Sequence, residues 1–572
     1  MIFTKCKCRI GLLSFCLLII TSCSKQNCKH DNIPLKHSSL DTLIIQPITF
    51  KTPSPEGWNA QYKTMVQFPE TEKNWSKIIM VQTLKCDSLT KGDKYPCGEW
   101  DYIWNTFIKV PVGDTTESFS IGSFVTPYGK RLWLGGKDGW EWTYDLTDYT
   151  PILKGIRELI VGNNQELLDL KFLFIGGSPE RNVLSVENIY PYGNYKYGEL
   201  ADDSVLTKRK IILNPGAFGY KIKSVISGHG HEGPRNCCEW DSKTHTWYMN
   251  NWEVFRWNVW KDCGNNPIYP QGGTWPFDRA GWCPGTKVDE YEFELTPYVN
   301  PGDTIYLDYS IQNYFDNGEK NGNLRMSHQL VSYGKPNFKH DVEIAEIIAP
   351  SSQDKYSRIN PTLSNPRILI RNSGEYNLKS VTFQYGLKNG RKSVFKWSGN
   401  LAFLEEEEVI LPNPKWRGLK NNRTFLVKAK NPNGMRDENP HNNYQTSVVP
   451  LPKVFPTEFN LYIHTNNVNR AQENSFTLAD VKGTVLYAEG NFKDSTEYHF
   501  PMKLKKGVYQ FLFKDEMEDG ISRHWWYRNS APDKIGINGQ VRFLTINGDT
   551  LHEFKPDFGQ ELLFNFYVGK IP

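Results

Sequence analysis

Apolar residues along this chain recur at every second position or in brief continuous runs. "TMVQF", "SKIIMVQTL", "DYIWNTFIKV", "LKFLFIG", "KIILN", "TIYLDYSIQ" and "HQLVSYG" are examples. This is the signature of strands buried on one or both faces. Gly, Pro, Asn and Asp separate the runs, and helical periodicity is scarce. The pattern predicts an all-β chain of sandwiches or jelly rolls. From 43 to 336 the texture is continuous and reads as two units, 43–188 and 189–336, joined near "YPYGNYKYGE". It shifts after "GKPNFKHD": residues 337–452 read as an immunoglobulin-like sandwich. "PLPKVFP" reads as a Pro-rich linker, and 453–572 as a C-terminal β-rich domain. Within the latter, "DEMEDGIS" is a candidate acidic calcium loop without the full EF-hand spacing, and a solvated acidic turn is the favoured reading.

The first residues set the compartment. Lys5, Lys7 and Arg9 precede "IGLLSFCLLII", which is too short to span a bilayer comfortably. Residues 1–22 read as a secretory signal, outside the fold. The signal ends in "ITSC", which resembles a bacterial lipobox. That resemblance implies a lipidated Cys23 and a polar tether over 23–42. The expected location is a bacterial cell envelope, on the outer membrane, facing the periplasm or the surface. Membrane contact would run through the lipid anchor alone. Seven cysteines follow Cys23. Seven is odd, and Cys28 in the tether is the candidate spare.

Length and composition add three points. A chain of 572 residues suits three or four domains. Its net charge of +4 gives no argument for nucleic acid. Aromatics make up 14% of it, with 18 Trp. Such rings suit sites that are apolar on one side and wet on the other, sugar faces included.

Three stretches carry candidate chemistry. In "CDSLTKGDKYPCGEWDYIWNTFIKV" a Cys86–Cys97 disulfide would close a polar loop and fix Glu99, Trp100 and Asp101 at a strand start. A carboxylate against an indole is partly desolvated, which raises its pKa. In "ISGHGHEGPRNCCEWDSKTHT" the order cysteine, carboxylate, indole repeats at Cys238, Glu239 and Trp240. Two acids so placed suit hydrolysis of a stable C–N bond: one activates water, the other stabilises the departing nitrogen. In "CGNNPIYPQGGTWPFDRAGWCPG" a Cys263–Cys283 disulfide would staple a loop displaying Trp275, Asp278, Arg279 and Trp282.

"CGEWDYIWNTFIKV", "FVTPYG", "ISGHGHEG…CCEWDSKTHT" and "FDRAGWCPG" resemble, in order and spacing, the signature segments of the peptide-N-glycosidase F family. The resemblance covers about 45–335. It implies two side-by-side jelly rolls and amidohydrolysis of the bond between asparagine and the first GlcNAc of an N-glycan. N-glycosylated proteins or peptides would be the partners. It implies Asp101 and Glu239 as catalytic residues. Trp100, Arg279, Trp282, Glu99 and His231 are the implied substrate-binding residues. The 337–452 module resembles CARDB-type adhesion modules, which implies a spacer.

The sequence departs from the family pattern. A third acid of the first roll falls on "ELIVGNNQELLDLKF", where Asn164 and Glu166 stand; Glu166 reaches the acid's place only after a small shift. Loss of that acid and its neighbouring Trp would widen the cleft and admit a core fucose. Tyr102 replaces a basic residue, and Asp241 replaces a cysteine. The pairing of Cys237 and Cys238 stays open between a vicinal bond and a bond elsewhere with one free thiol. His229 and His231 would share one face of a strand, and with Glu239 or His245 they are candidate zinc ligands. The family implies no cofactor, and histidines bound to loop backbone or substrate are the alternative. A second functional reading is a glycoprotein-binding lipoprotein with weakened or absent catalysis. Copper-dependent hydroxylation, suggested by double jelly rolls in general, lacks the required His/Met set.

Overall fold

Strand Glu458–His464 shows how these sequences fold. Phe459, Leu461 and Ile463 are buried while the residues between them are not, so one face meets the core and the other meets water. Strand Trp75–Cys86 reads as almost continuously apolar because it lies between two neighbours at the centre of its sheet. The computed structural model describes residues 41–571, except 56–59, 71–73, 88–96, 136–137, 163–165, 231–236, 314–321, 360–361 and 415. The signal, Cys23, Cys28, Asn164 and His231 lie outside the described residues.

The chain is all-β. Among the described residues, its one α-helix is the five-residue Tyr197–Ala201. Among the described residues, eight sheets stack as four sandwiches in chain order. In the first, the sheet holding Trp75–Cys86 faces the sheet holding Ile103–Val112, with Ile78, Met80, Ile108 and Phe172 between them. In the second, Gly219–His229 and Asn323–Pro336 face Lys243–Met249 and Thr304–Ile311 across Ile222, Trp247 and Leu307. The third and fourth have separate cores around Phe383 and Phe543.

Two segments depart from the sequence expectations. "YPYGNYKYGE" is not a junction: strand Arg181–Lys196 runs through it and pairs with Asn323–Pro336 in the second sandwich. That strand lies at the edge of its sheet, where Pro and Gly are tolerated. Likewise "PLPKVFP" is not merely linker. Its Lys453–Phe455 pairs in parallel with Glu561–Val568 at a sheet edge.

The first two sandwiches are joined by core and charge. Val186, Val331 and Tyr333 of the second enter the core of the first. Asp148 of the first receives Lys221 at 3.0 Å, Lys223 at 3.1 Å and the Tyr333 hydroxyl at 2.6 Å. Burial pushes the Asp148 carboxyl up, but the two lysines outweigh it and hold the group well below the usual carboxylate range. Strand Thr286–Lys287, which follows Cys283, crosses over and pairs with Thr115–Val125 of the first sandwich.

The later sandwiches are also tied in. Lys77 of the first pairs with the buried Glu343 of the third. Arg358 donates to Asn266 O, Glu561 O and Phe558 O, linking the second sandwich's long loop to the fourth. The acidic turn Asp515–Ser522 is not simply solvated. Arg470 donates to Gly520 O and Ser522 O and pairs with the buried Asp519.

Candidate active site

Asp101 stands two residues before strand Ile103–Val112. The Cys86–Cys97 disulfide forms, with Cα atoms 4.4 Å apart, and fixes the strand entry from one side. From the other side, Tyr102 N donates to Thr126 Oγ1 at 2.8 Å and Thr126 N to Tyr102 O at 2.9 Å. Gly129 makes this clip close: a Cβ there would lie 1.6 Å from Gly98 O. The segment "FVTPYG" is thus laid against "CGEWDY". Tyr128 donates its hydroxyl to Asp101. Trp100 beside it is 53% exposed and Glu99 is half-buried.

Glu239 is delivered from the second sandwich. Its N–H donates to Gly230 O at 3.0 Å, just past strand Gly219–His229, and its carbonyl accepts from Ala280 N at 3.0 Å. Cys237 and Cys238 form a vicinal disulfide across a cis peptide, which resolves the pairing left open by sequence. This turn is packed against glycine backbone. A Cβ at Gly228 would lie 2.0 Å from Cys238 O, and one at Gly322 would lie 2.2 Å from Cys237 O.

Arg279 joins the two halves. The Cys263–Cys283 disulfide closes the loop that bears it, and a backbone bridge to Lys261 fixes its position. Its Nε donates to Glu239 Oε1 at 3.1 Å, Nη1 to Phe277 O at 2.5 Å, and Nη2 to Thr274 O and Oγ1 at 2.9 and 3.1 Å. Thr274 in turn hydrogen-bonds Tyr128. One chain of contacts therefore runs Asp101, Tyr128, Thr274, Arg279, Glu239, from the first sandwich to the second.

This placement bears on two residues that the resemblance marks as lining or supporting the cleft. Arg279 is 0% exposed and its donors go to protein acceptors. Trp282 is 2% exposed, donates Nε1 to Gly228 O at 2.8 Å and lies 4.9 Å from the guanidinium. Both are buried here: Arg279 holds Glu239 directly, and Trp282 packs against the guanidinium. Trp240, whose ring centroid is 4.2 Å from the Arg279 guanidinium, and Trp100 are the nearer aromatic surfaces. Tyr128 and Thr274 went unassigned in the sequence. The one signal was that Tyr128 lies in "FVTPYG" and Thr274 in the stapled loop.

Of the candidate histidines, His229 and His245 are described, and they lie apart from one another. His229 stacks on Trp282 at 5.2 Å and contacts Ser227 Oγ at 2.8 Å. Burial, with Arg325 and Arg279 nearby, lowers its pKa to about 3. His245 lies in the core of the second sandwich against Trp257 and Tyr309. Among the described residues, the acidic groups spaced to share a cation are Asp262, Asp278 and Glu518, and Glu473, Asp515 and Asp519. Neither includes a histidine. Glu166 is 1% exposed and pairs across the sheet with Cys86, so it enters the first sandwich rather than lying open at its surface.

Electrostatics separate the two carboxylates. Burial raises the Asp101 pKa to about 6; Glu239 adds to the rise, while Arg279 and the Tyr128 hydrogen bond oppose it. Glu239 is held in the ion pair with Arg279. One carboxyl can thus exchange a proton near neutrality beside a second that is fixed in place, an arrangement suited to general acid–base catalysis.

Comparison with known proteins gives the following similarities. The family described as "Peptide-N-glycosidase F, C terminal" matches residues 196–331. A relative from Elizabethkingia miricola, peptide-N(4)-(N-acetyl-beta-D-glucosaminyl)asparagine amidase F, is 30% identical over 263 residues, 42% of this chain and 71% of the relative. A crystal structure of peptide-N(4)-(N-acetyl-beta-D-glucosaminyl)asparagine amidase is 26% identical, covering 51% of this chain and 96% of its own, with a TM-score of 0.45. PNGase F, a glycosylasparaginase from Flavobacterium meningosepticum, is 26% identical over the same shares, with a TM-score of 0.43.

Proposed function

The chain belongs to the peptide-N-glycosidase F family, and from that premise we propose that it hydrolyses the amide linking asparagine to the first GlcNAc of N-glycoproteins and N-glycopeptides. The observation that carries this reading is the pair Asp101 and Glu239, one from each roll, joined through Tyr128, Thr274 and Arg279. In the proposed reaction, ionised Asp101 takes a proton from water as the oxygen attacks the amide carbon. The C–N bond then breaks, and Asp101 returns the proton to the departing nitrogen. Glu239 orients the amide and first sugar, with Arg279 beneath it, while Trp100 and Trp240 line the approach. The products are aspartate and a glycosylamine, which loses ammonia in water.

The test is mass spectrometry of a defined N-glycopeptide incubated with the mature chain in heavy-oxygen water, with and without a chelator. The expected result is an Asn-to-Asp conversion carrying one label, lost in Asp101→Asn and unaffected by the chelator. Chelator sensitivity would promote His229 and His231 to metal ligands. An unchanged glycopeptide across several core types would favour the glycoprotein-binding alternative.

Two finer points belong to the same reading. The inward position of Glu166 supports a cleft with room for a core fucose. Core-fucosylated and unsubstituted glycopeptides should then be cleaved at similar rates; a large preference for the unsubstituted one would end the idea. The lipobox-like "ITSC" supports an envelope lipoprotein anchored through Cys23. Cys23→Ser should release the chain from membranes, and retention there would refute the anchor.

A further inference from the structure

The C-terminal sandwich reaches the mouth of the candidate site. Its turn Trp525–Arg528 touches both rolls. Lys130 of the first roll, two residues after Tyr128, places Nζ 3.9 Å from the Trp525 ring centroid. Phe277 of the second roll, two residues before Arg279, meets Trp526 edge-on at 6.0 Å. Phe277 also meets Trp240 at 6.3 Å, and Trp240 adjoins Glu239. An aromatic row therefore runs from the catalytic glutamate through Trp240 and Phe277 to Trp526. Trp525, Trp526 and Tyr527 are all half-buried.

The turn is held from behind. His524 stacks on Trp526 at 4.3 Å and pairs with Asp519 at 3.1 Å. Asp557 accepts from Trp275 Nε1 at 2.9 Å and pairs with Arg131 at 2.7 Å, so the sandwich is locked to both rolls next to the turn. A fixed turn of partly exposed rings presents flat apolar surface with polar edges, which matches the C–H face and hydroxyl rim of a pyranose. Recognition of a polypeptide draws instead on a strand edge, an apolar groove or a charge cluster, and a four-residue turn offers no strand edge.

We propose that Trp526, with Trp525 and Tyr527, forms a sugar-stacking subsite for the part of the N-glycan that lies beyond the first GlcNAc. The C-terminal sandwich is then part of the substrate-binding cleft and selects for extended glycans. The proposal rests on the amidase reading, and its test has one arm that does not.

The measurement is kcat/KM on two glycopeptides of one peptide sequence, one with a complete high-mannose glycan and one trimmed to two GlcNAc. Wild type should prefer the complete glycan about tenfold, the scale of one lost ring contact. Trp526→Ala should abolish the preference and Trp526→Tyr should keep it. Because the readout is a ratio, a partly unfolded variant does not mimic the result. Equal ratios in wild type and Trp526→Ala would overturn the subsite. So would a preference that follows peptide length at fixed glycan. In the second arm, free high-mannose glycan is titrated onto the full chain and followed by NMR. Binding by wild type and its loss in Trp526→Ala support the subsite even if no amide is cleaved; no binding by wild type overturns it. Absence of cleavage alone counts against the amidase reading.

Discussion

The indole of Trp275 donates to the carboxylate of Asp557 across 282 residues of sequence. Trp275 lies in the stapled loop four residues before Arg279, and Arg131 completes the contact from the first roll. The C-terminal sandwich thereby holds the loop that places Glu239. Asp557→Ala should leave the buried Trp275 N–H without its acceptor, at a cost of about 2 kcal/mol, while Arg131, partly in water, loses little. Denaturant unfolding should show that loss. If the proposed amidase reading holds, activity should fall more in kcat than in KM, because the Asp101–Glu239 pair is displaced rather than the sugar contacts. An unchanged kcat in a stably folded variant would remove Asp557 from this role.

Asp101→Asn should lower kcat about ten-thousandfold, the upper end of the usual contribution of one acid–base group, because the same group serves both steps. In wild type the acid limb of the pH–rate profile should fall near pH 6. The sign for stability is opposite to that of an ordinary ion pair. The folded-state pKa is raised above the unfolded value, so the folded form binds more protons between about pH 4 and 6. Wild-type stability should therefore decline as pH rises through that window. Asp101→Asn should be more stable than wild type at pH 8 and equal to it near pH 3.

Arg279→Gln removes the charge that opposes the rise in the Asp101 pKa. The acid limb of activity should then move to higher pH, by about one unit. Arg279→Lys, which keeps the charge but not the fork of donors, should leave the limb near pH 6 while lowering kcat. If both variants lose activity without any movement of the profile, Arg279 has a structural role only.

Acid should unfold the second roll early. His229, His245 and His328 are buried, and burial lowers each pKa to about 3. All three are neutral in the folded state and charge in the unfolded state below about pH 6.5. Stability is thus complete above that value and lost as pH falls, by up to about 1.4 kcal/mol per pH unit for each imidazole. The triple substitution His229→Gln, His245→Gln, His328→Gln should flatten the decline between pH 6 and pH 4, read as urea midpoints. A slope equal to wild type would place the acid sensitivity elsewhere.

The strands were legible because each core-facing run carries its own alternation, as in Phe459, Leu461 and Ile463. The carboxylates were legible because "CGEWD" and "CCEWD" put an acid beside an indole after a cysteine. The direction of Arg279 was not. Sequence shows a guanidinium in a stapled loop, but Thr274, Phe277 and Glu239 determine that it points inward. "YPYGNYKYGE" read as a junction because its Pro and Gly are turn residues. At a sheet edge those residues cost no ladder bond, and the strand passes through. The joining of the C-terminal sandwich to the loop was invisible for a simpler reason. Asp557 and Trp275 carry no mark of one another until the chain is folded.

That long-range tie has a consequence for synthesis. Contacts between residues far apart form late, since the loop they close must first be ordered. The loop bearing Arg279 emerges from the ribosome 282 residues before its Asp557 anchor. A chain that has finished both rolls still lacks the brace on the loop bearing Arg279. The loop that sets Arg279 against Glu239 is therefore braced on its far side only after the fourth sandwich has been made and docked.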